Sequence, residues 1–89
     1  MKAVITVTGK DSVGIIAEVA TVCAEYNVNI LDVTQSIIQD YFAMIMLADI
    51  DRLSLPFSDF SDILRALGEK RHLEIHSMHE DIFNTMHHI

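Results

Sequence analysis

The stretch from Val4 to Asp49, VITVTGKDSVGIIAEVATVCAEYNVNILDVTQSIIQDYFAMIMLAD, constrains the fold more than any other part of the chain. Ala3 to Thr8 alternates, with Ala3, Ile5 and Val7 on one side and Val4 and Thr6 on the other, and reads as a strand ending at Gly9. Lys10, Asp11, Ser12, Val13 and Gly14 form the turn that follows, in which Asp11 or Ser12 can cap the next helix. From Val13 the apolar residues Ile16, Val19, Ala20, Cys23 and Ala24 recur at helical spacing, widened by Ile15, Val22 and Tyr26. Asn27 tolerates a left-handed backbone and stops the helix. A turn of this kind aims backbone N–H groups and a helix N-terminus at whatever lies above it, which favours a small anionic group such as a carboxylate. No catalytic group accompanies it, so the pattern points to a small-molecule sensor or a pairing module.

Val28 to Ile38 is rich in β-branched residues and reads as a second strand. Gln39 and Asp40 make a tight turn into a third, Tyr41 to Ile50. Ser54 and Pro56 open a second helix whose core face is Phe57, Phe60, Ile63, Leu64 and Leu67, with Gly68 loosening its last turns. A fourth strand starts at His72 or Leu73 and runs to Met78. The order β-α-β-β-α-β predicts an α+β, ferredoxin-like domain: a four-stranded antiparallel sheet with both helices on one face. Strand three is apolar on both sides, with Phe42, Met44, Met46 and Ala48 on one and Tyr41, Ala43, Ile45 and Leu47 on the other. A sheet with one wet face alternates, so something must cover the face opposite the helices. Ile82, Phe83, Met86 and Ile89 fall on one side of a short tail helix that can supply the cover, for its own subunit or for a partner's. The expected organisation is one domain over residues 1–79 and an amphipathic tail over 80–89.

With 89 residues there is room for one domain. A hydrophobic fraction of 51% is high for so small a surface-to-volume budget and hints at burial against a second copy. Thirteen acidic residues against six Lys and Arg give a formal charge of −7, which repels phosphate backbones. The cationic run at Lys70-Arg71 is better read as complementing a helix C-terminus than as a nucleic-acid patch. One cysteine, Cys23, excludes an intrachain disulfide and fits a reducing compartment. Without a charged-then-apolar leader or an apolar run near ~20 residues, a cytoplasmic protein free of membrane is expected.

The residues Val7-Thr8-Gly9-Lys10-Asp11-Ser12-Val13-Gly14-Ile15-Ile16-Ala17, followed by Asn27-Val28-Asn29-Ile30-Leu31-Asp32-Val33, resemble an ACT domain. The likeness lies in an Asp-x-x-Gly loop after strand one and an Asn-Ile pair at the start of strand two. Length and ending resemble the small free-standing bacterial and archaeal ACT proteins. A more distant likeness is to the ACT modules of glycine-cleavage repressors and formyltetrahydrofolate deformylase. The resemblance implies regulation by a small ligand, often an amino acid, bound where two such domains meet. Carried onto this chain, the ligand-binding positions are Gly9, Lys10, Asp11, Ser12, Val13 and Gly14, with Asn29 and Ile30. Backbone N–H groups from Ser12 to Gly14 suit a carboxylate, Asp11 suits an amine, and Asn29 offers a donor and an acceptor. Each position also has a purely structural reading: Gly14 permits close helix–strand packing, Asp11 caps, and Asn29 ties down the helix exit. Lys10 stands where related loops often carry Arg or Cys-Pro.

Other functions of this fold fit less well. Acylphosphatase chemistry needs an Arg in the first loop, and the first Arg here is Arg52. Copper carriage needs Cys-x-x-Cys in that loop, and RNA recognition needs aromatic platforms in basic surroundings. Five histidines, His72, His76, His79, His87 and His88, follow residue 71. His76 and His79 fall on opposite faces of a strand and His87 and His88 are neighbours on a helix, so surface histidines without a metal are expected; the alternative is a Zn or Ni site, should strand four end by Met78 and let His76 and His79 converge. The reading is a non-catalytic regulatory homodimer that binds a small molecule, without a cofactor. Its alternative is a ligand-free pairing module that acts on a protein partner. The apolar second face of strand three favours a covered face over an edge as the dimer contact.

Overall fold

The computed structural model describes residues 1–10 and 13–86. Four strands, β1 (Lys2–Gly9), β2 (Asn29–Ile38), β3 (Tyr41–Asp49) and β4 (Glu74–His79), alternate with α1 (Ile15–Glu25), α2 (Phe57–Arg71) and α3 (Glu80–Met86). The strands form one sheet in the order β2-β3-β1-β4, antiparallel throughout. This is the ferredoxin-like arrangement expected from the alternation of periods, with a short C-terminal helix added.

Register decides which side chains meet. Ala3, Ile5 and Val7 of β1 sit beside Ala48, Met46 and Met44 of β3, and all six are at most 1% exposed. From α1, Ile15, Val19 and Cys23 drop onto this layer at four-residue spacing, and from α2, Phe60 and Leu64 do the same. Ile16, expected on the stripe of α1, is 39% exposed, because Ile15 heads the buried row instead. Two consecutive isoleucines satisfy the same periodicity, and the row through Val19 and Cys23 selects the first. Gly68 is a correction as well. A Cβ there would lie 2.6 Å from the Leu73 carbonyl oxygen and 2.9 Å from Ile75, so the glycine lets α2 press onto the start of β4 and does not loosen the helix.

On the face without α1 and α2, Val4 is only 4% exposed although it lies outside the main core cluster. The neighbouring α3 touches both β1 and β4, and Phe83 and Met86 share a cleft with Thr6, Ile45, His76 and Met78. The chain's own last helix therefore lies across the β1–β4 half of that face. Over the β2–β3 half, Ile38, Tyr41 and Ile45 remain 68%, 55% and 45% exposed.

Candidate ligand-binding site

The first loop is held from three directions. Gly9 lies against Leu73, whose side chain would clash with any Cβ at this position. The Lys10 ammonium sits 3.7 Å from Asp40 and 5.3 Å from the centre of the Tyr41 ring, which ties the loop to the β2–β3 hairpin tip. Arg71, at the far end of α2, donates to the Val13 carbonyl and pairs with Glu18 of α1. Its side chain is 22% exposed, so this cation of the Lys70-Arg71 run acts as a loop clamp in addition to its place at a helix C-terminus. Asp11 and Ser12 lie outside the described residues.

Gly14 has nothing within 4 Å of where a Cβ would be, so close packing does not explain it. Its φ of 76° does: a left-handed backbone precedes α1 directly, and glycine adopts it without strain. With Gly14 at the N-cap there is no side-chain cap from that position. The Glu18 N–H closes the first helical bond on the Gly14 carbonyl at 3.1 Å, which leaves the first-turn N–H groups of α1 without an acceptor inside the helix.

Asn29 and Ile30 lie elsewhere. Across the sheet Asn29 is level with Asp49 and Lys2, whereas Gly9 is level with Phe42 and Ile37. Seven strand residues separate the two levels, roughly 23 Å at strand rise. Within one chain the six described positions of the eight, Gly9, Lys10, Val13 and Gly14 on one side and Asn29 and Ile30 on the other, thus form two groups at opposite ends of the sheet. Asn29 lines a polar cleft of about 440 Å³ with Asn27, Asp49, Asp51 and Arg52. Asp49, Asp51 and Arg52 were not anticipated from sequence. The available signal was their place at the end of the strand that pairs with Asn29, which only the register reveals.

Between the two groups runs β2, exposed at eight of its ten residues and carrying a bulge between Ile30 and Asp32. At its end Ile37 is 73% exposed. Of the histidines, His76 lies on the α3 face with its ring nitrogen 3.2 Å from Glu74, and His79 turns to the other face, 4.4 Å from the Phe57 ring. His87 and His88 lie outside the described residues, as does Ile89 of the tail stripe. Among the described residues no three His, Cys, Asp or Glu side chains gather as metal ligands. Burial pushes the Cys23 thiol up to about 11, which keeps it protonated and unreactive at neutral pH. No helix among the described residues is long and apolar enough to cross a membrane.

The described residues form a ferredoxin-like βαββαβ sandwich with an exposed edge strand. The model of the ACT domain matches residues 2–77, and the chain belongs to the ACT domain family. A UPF0237 protein of Clostridium perfringens is 49% identical over 89 residues, covering 100% of both chains. The ACT domain protein from Streptococcus pneumoniae superposes with a TM-score of 0.81 at 35% identity, covering 93% of each chain. A formyltetrahydrofolate deformylase from Pseudomonas syringae pv. tomato shares the fold at a TM-score of 0.77 and 20% identity; the match covers 88% of this chain and 27% of that one. Members of the family are regulatory and ligand-binding.

Proposed function

We propose that the protein is a non-catalytic regulatory module that binds a small ligand, an amino acid first among candidates, between two copies of itself in the cytoplasm. The observation that carries this reading is the split of the described candidate residues to opposite ends of a sheet whose β2 edge is long and exposed. A two-fold axis near Val33 and Thr34 would set Asn29 of one copy against Ile38 of the other, because antiparallel pairing of a strand with itself reverses its direction. The start of one β2 would then lie by the other copy's hairpin tip, where Lys10 is docked on Asp40 and Tyr41. Asn29 and Ile30 from one copy would close on a ligand together with Gly9, Lys10, Asp11, Ser12, Val13 and Gly14 from the other. The chain's own α3 lies over part of the helix-free face, so covering that part needs no second copy and the edge is the better contact. A ligand bound across the pair shifts its geometry or its affinity for a partner only by preferring one state. The acidic surface argues against a nucleic-acid partner.

Light scattering on the purified protein tests the pairing, and thermal melting against each of the twenty amino acids at millimolar concentration tests the ligand. A dimer stabilised by one or a few amino acids is expected. At ~100 times its dissociation constant a ligand adds about 2.7 kcal/mol, a readily measured rise in midpoint. Asn29→Ala combined with Asp11→Ala should abolish that rise and leave the dimer intact. A flat panel with ligand-free protein would refute the sensor reading in favour of a pairing module that acts through a protein partner.

A further inference from the structure

We infer that Arg52 and Asp49 bind the carboxylate and the ammonium of an α-amino acid in the polar cleft at the start of β2. The inference rests on the amino-acid reading above and adds two residues to the Asn29 half of that site. All five lining residues, Asn27, Asn29, Asp49, Asp51 and Arg52, are polar, and the volume of about 440 Å³ lies in the ~300–1,000 Å³ range of small-molecule sites.

The backbone under the cleft is fixed before any ligand arrives. The Ile50 N–H donates to the Met1 carbonyl at 3.0 Å, the Leu53 N–H to the Ile50 carbonyl at 3.1 Å, and the Ser54 N–H to the Tyr26 carbonyl at 3.1 Å. Ile50 and Val28 are buried beneath it, at 8% and 6% exposure. Asn27, at φ 62°, is held in a left-handed conformation at the end of α1. Arg52 and Asp49 are therefore carried on a braced turn, and less ordering is lost on binding.

The charges inside the cleft are unequally occupied. Asp51 pairs with the Met1 amino group. Asp49 accepts the Asp51 N–H at 2.9 Å through one oxygen. Among the described residues Arg52 makes no ion pair, although two carboxylates line the same cleft. What the cleft offers a visitor is a planar guanidinium, a carboxylate and two side-chain amides. A guanidinium takes a carboxylate in two parallel hydrogen bonds, and Asp49 with an Asn carbonyl takes an ammonium. Phosphate or a plain dicarboxylate meets repulsion from Asp49, and a plain cation meets it from Arg52. A zwitterion satisfies both poles. This places the α-carboxylate on Arg52 and not on the N–H groups of the first loop, which are left to face the ligand's side chain from the second copy.

The test compares each stabilising amino acid with its α-amide and its des-amino acid, in thermal melts of the wild type and of Arg52→Gln and Asp49→Asn. Wild type should bind the amino acid at least roughly tenfold more tightly than either analogue. Arg52→Gln should lose that affinity and treat acid and amide alike, and Asp49→Asn should cease to distinguish the des-amino analogue. Equal binding of either analogue to wild type overturns the inference without recourse to a variant. So does an amino acid that stabilises wild type and both folded variants equally, an outcome that leaves the sensor reading standing. A flat panel for wild type overturns the two together.

Discussion

At one edge of the sheet β4 spans six residues, walled by α2 on one side and α3 on the other, and only Glu74 and His76 are exposed. At the opposite edge β2 spans ten residues, of which only Ile30 and Val33 are even half-buried. Unpaired strand edges invite pairing, and proteins protect them by shortness, charge, bulges or a covering element. β4 has the shortness and the cover, and one carboxylate, Glu74. β2 has one acidic residue, Asp32, and one bulge, while Leu31, Ile37 and Ile38 stay 45%, 73% and 68% exposed. The contrast separates an edge covered within the chain from one left exposed, and it is the exposed one that the proposed pairing uses.

The strongest way to break the finished side is to hollow out its core. Leu64→Ala, on the buried face of α2, should cost about 2–5 kcal/mol in urea unfolding and leave no β4-specific effect to be seen apart from global loss. Gly68→Ala should cost about 1–3 kcal/mol by forcing α2 off Leu73 and Ile75, with amide exchange rising first in β4. On the open side the expected loss is of association and not of folding. Thr34→Lys would place like charges together at the proposed axis and weaken a dimer by roughly tenfold or more, about 1.4 kcal/mol, with an unchanged circular dichroism spectrum. A dimer unaffected by this charge would move the contact off β2. Arg71→Gln should cost under about 1 kcal/mol, since Glu18 is 43% exposed, yet speed amide exchange through residues 13–18 by unclamping the loop.

A pH-dependent effect concerns Cys23, buried on the core face of α1. Its thiol is raised from 9.0 to about 11 by burial, so the folded state resists ionisation that the unfolded chain permits. The corresponding stability is whole below pH ~9 and declines as pH rises towards ~11. A disulfide reagent at pH 8 should react with the native protein far more slowly than with the unfolded one.

Element order was legible because strand and helix periods alternate cleanly, from Ala3-Ile5-Val7 through Val19-Cys23 to Phe60-Leu64. Rotation of α1 was not, because Ile15 and Ile16 satisfy the period equally. The loop glycines were found from their spacing, but the reason for Gly14, a left-handed backbone in open space, required its dihedral angle. The role of Arg71 was hidden for a different reason: its contact to Val13 spans 58 residues of sequence. The same holds for Arg52 and Asp49, which adjoin Asn29 only through the β2–β3 register. Local periodicity describes what a residue does within its own element; a cleft is assembled from elements that periodicity treats one at a time.

The extra residue at Leu31 bears on how many molecules can join. A regular strand slides along a copy of itself in steps of two residues and offers many near-equivalent alignments, the route to mixed registers and open-ended stacking. A strand with one added residue loses that translational degeneracy, since most shifts set the bulge against a regular ladder. Pairing about a two-fold axis also consumes the same edge in both molecules, and the outer edges that remain belong to the guarded β4 strands. An assembly built through β2 is therefore closed at two, and its count is set by geometry and not by concentration.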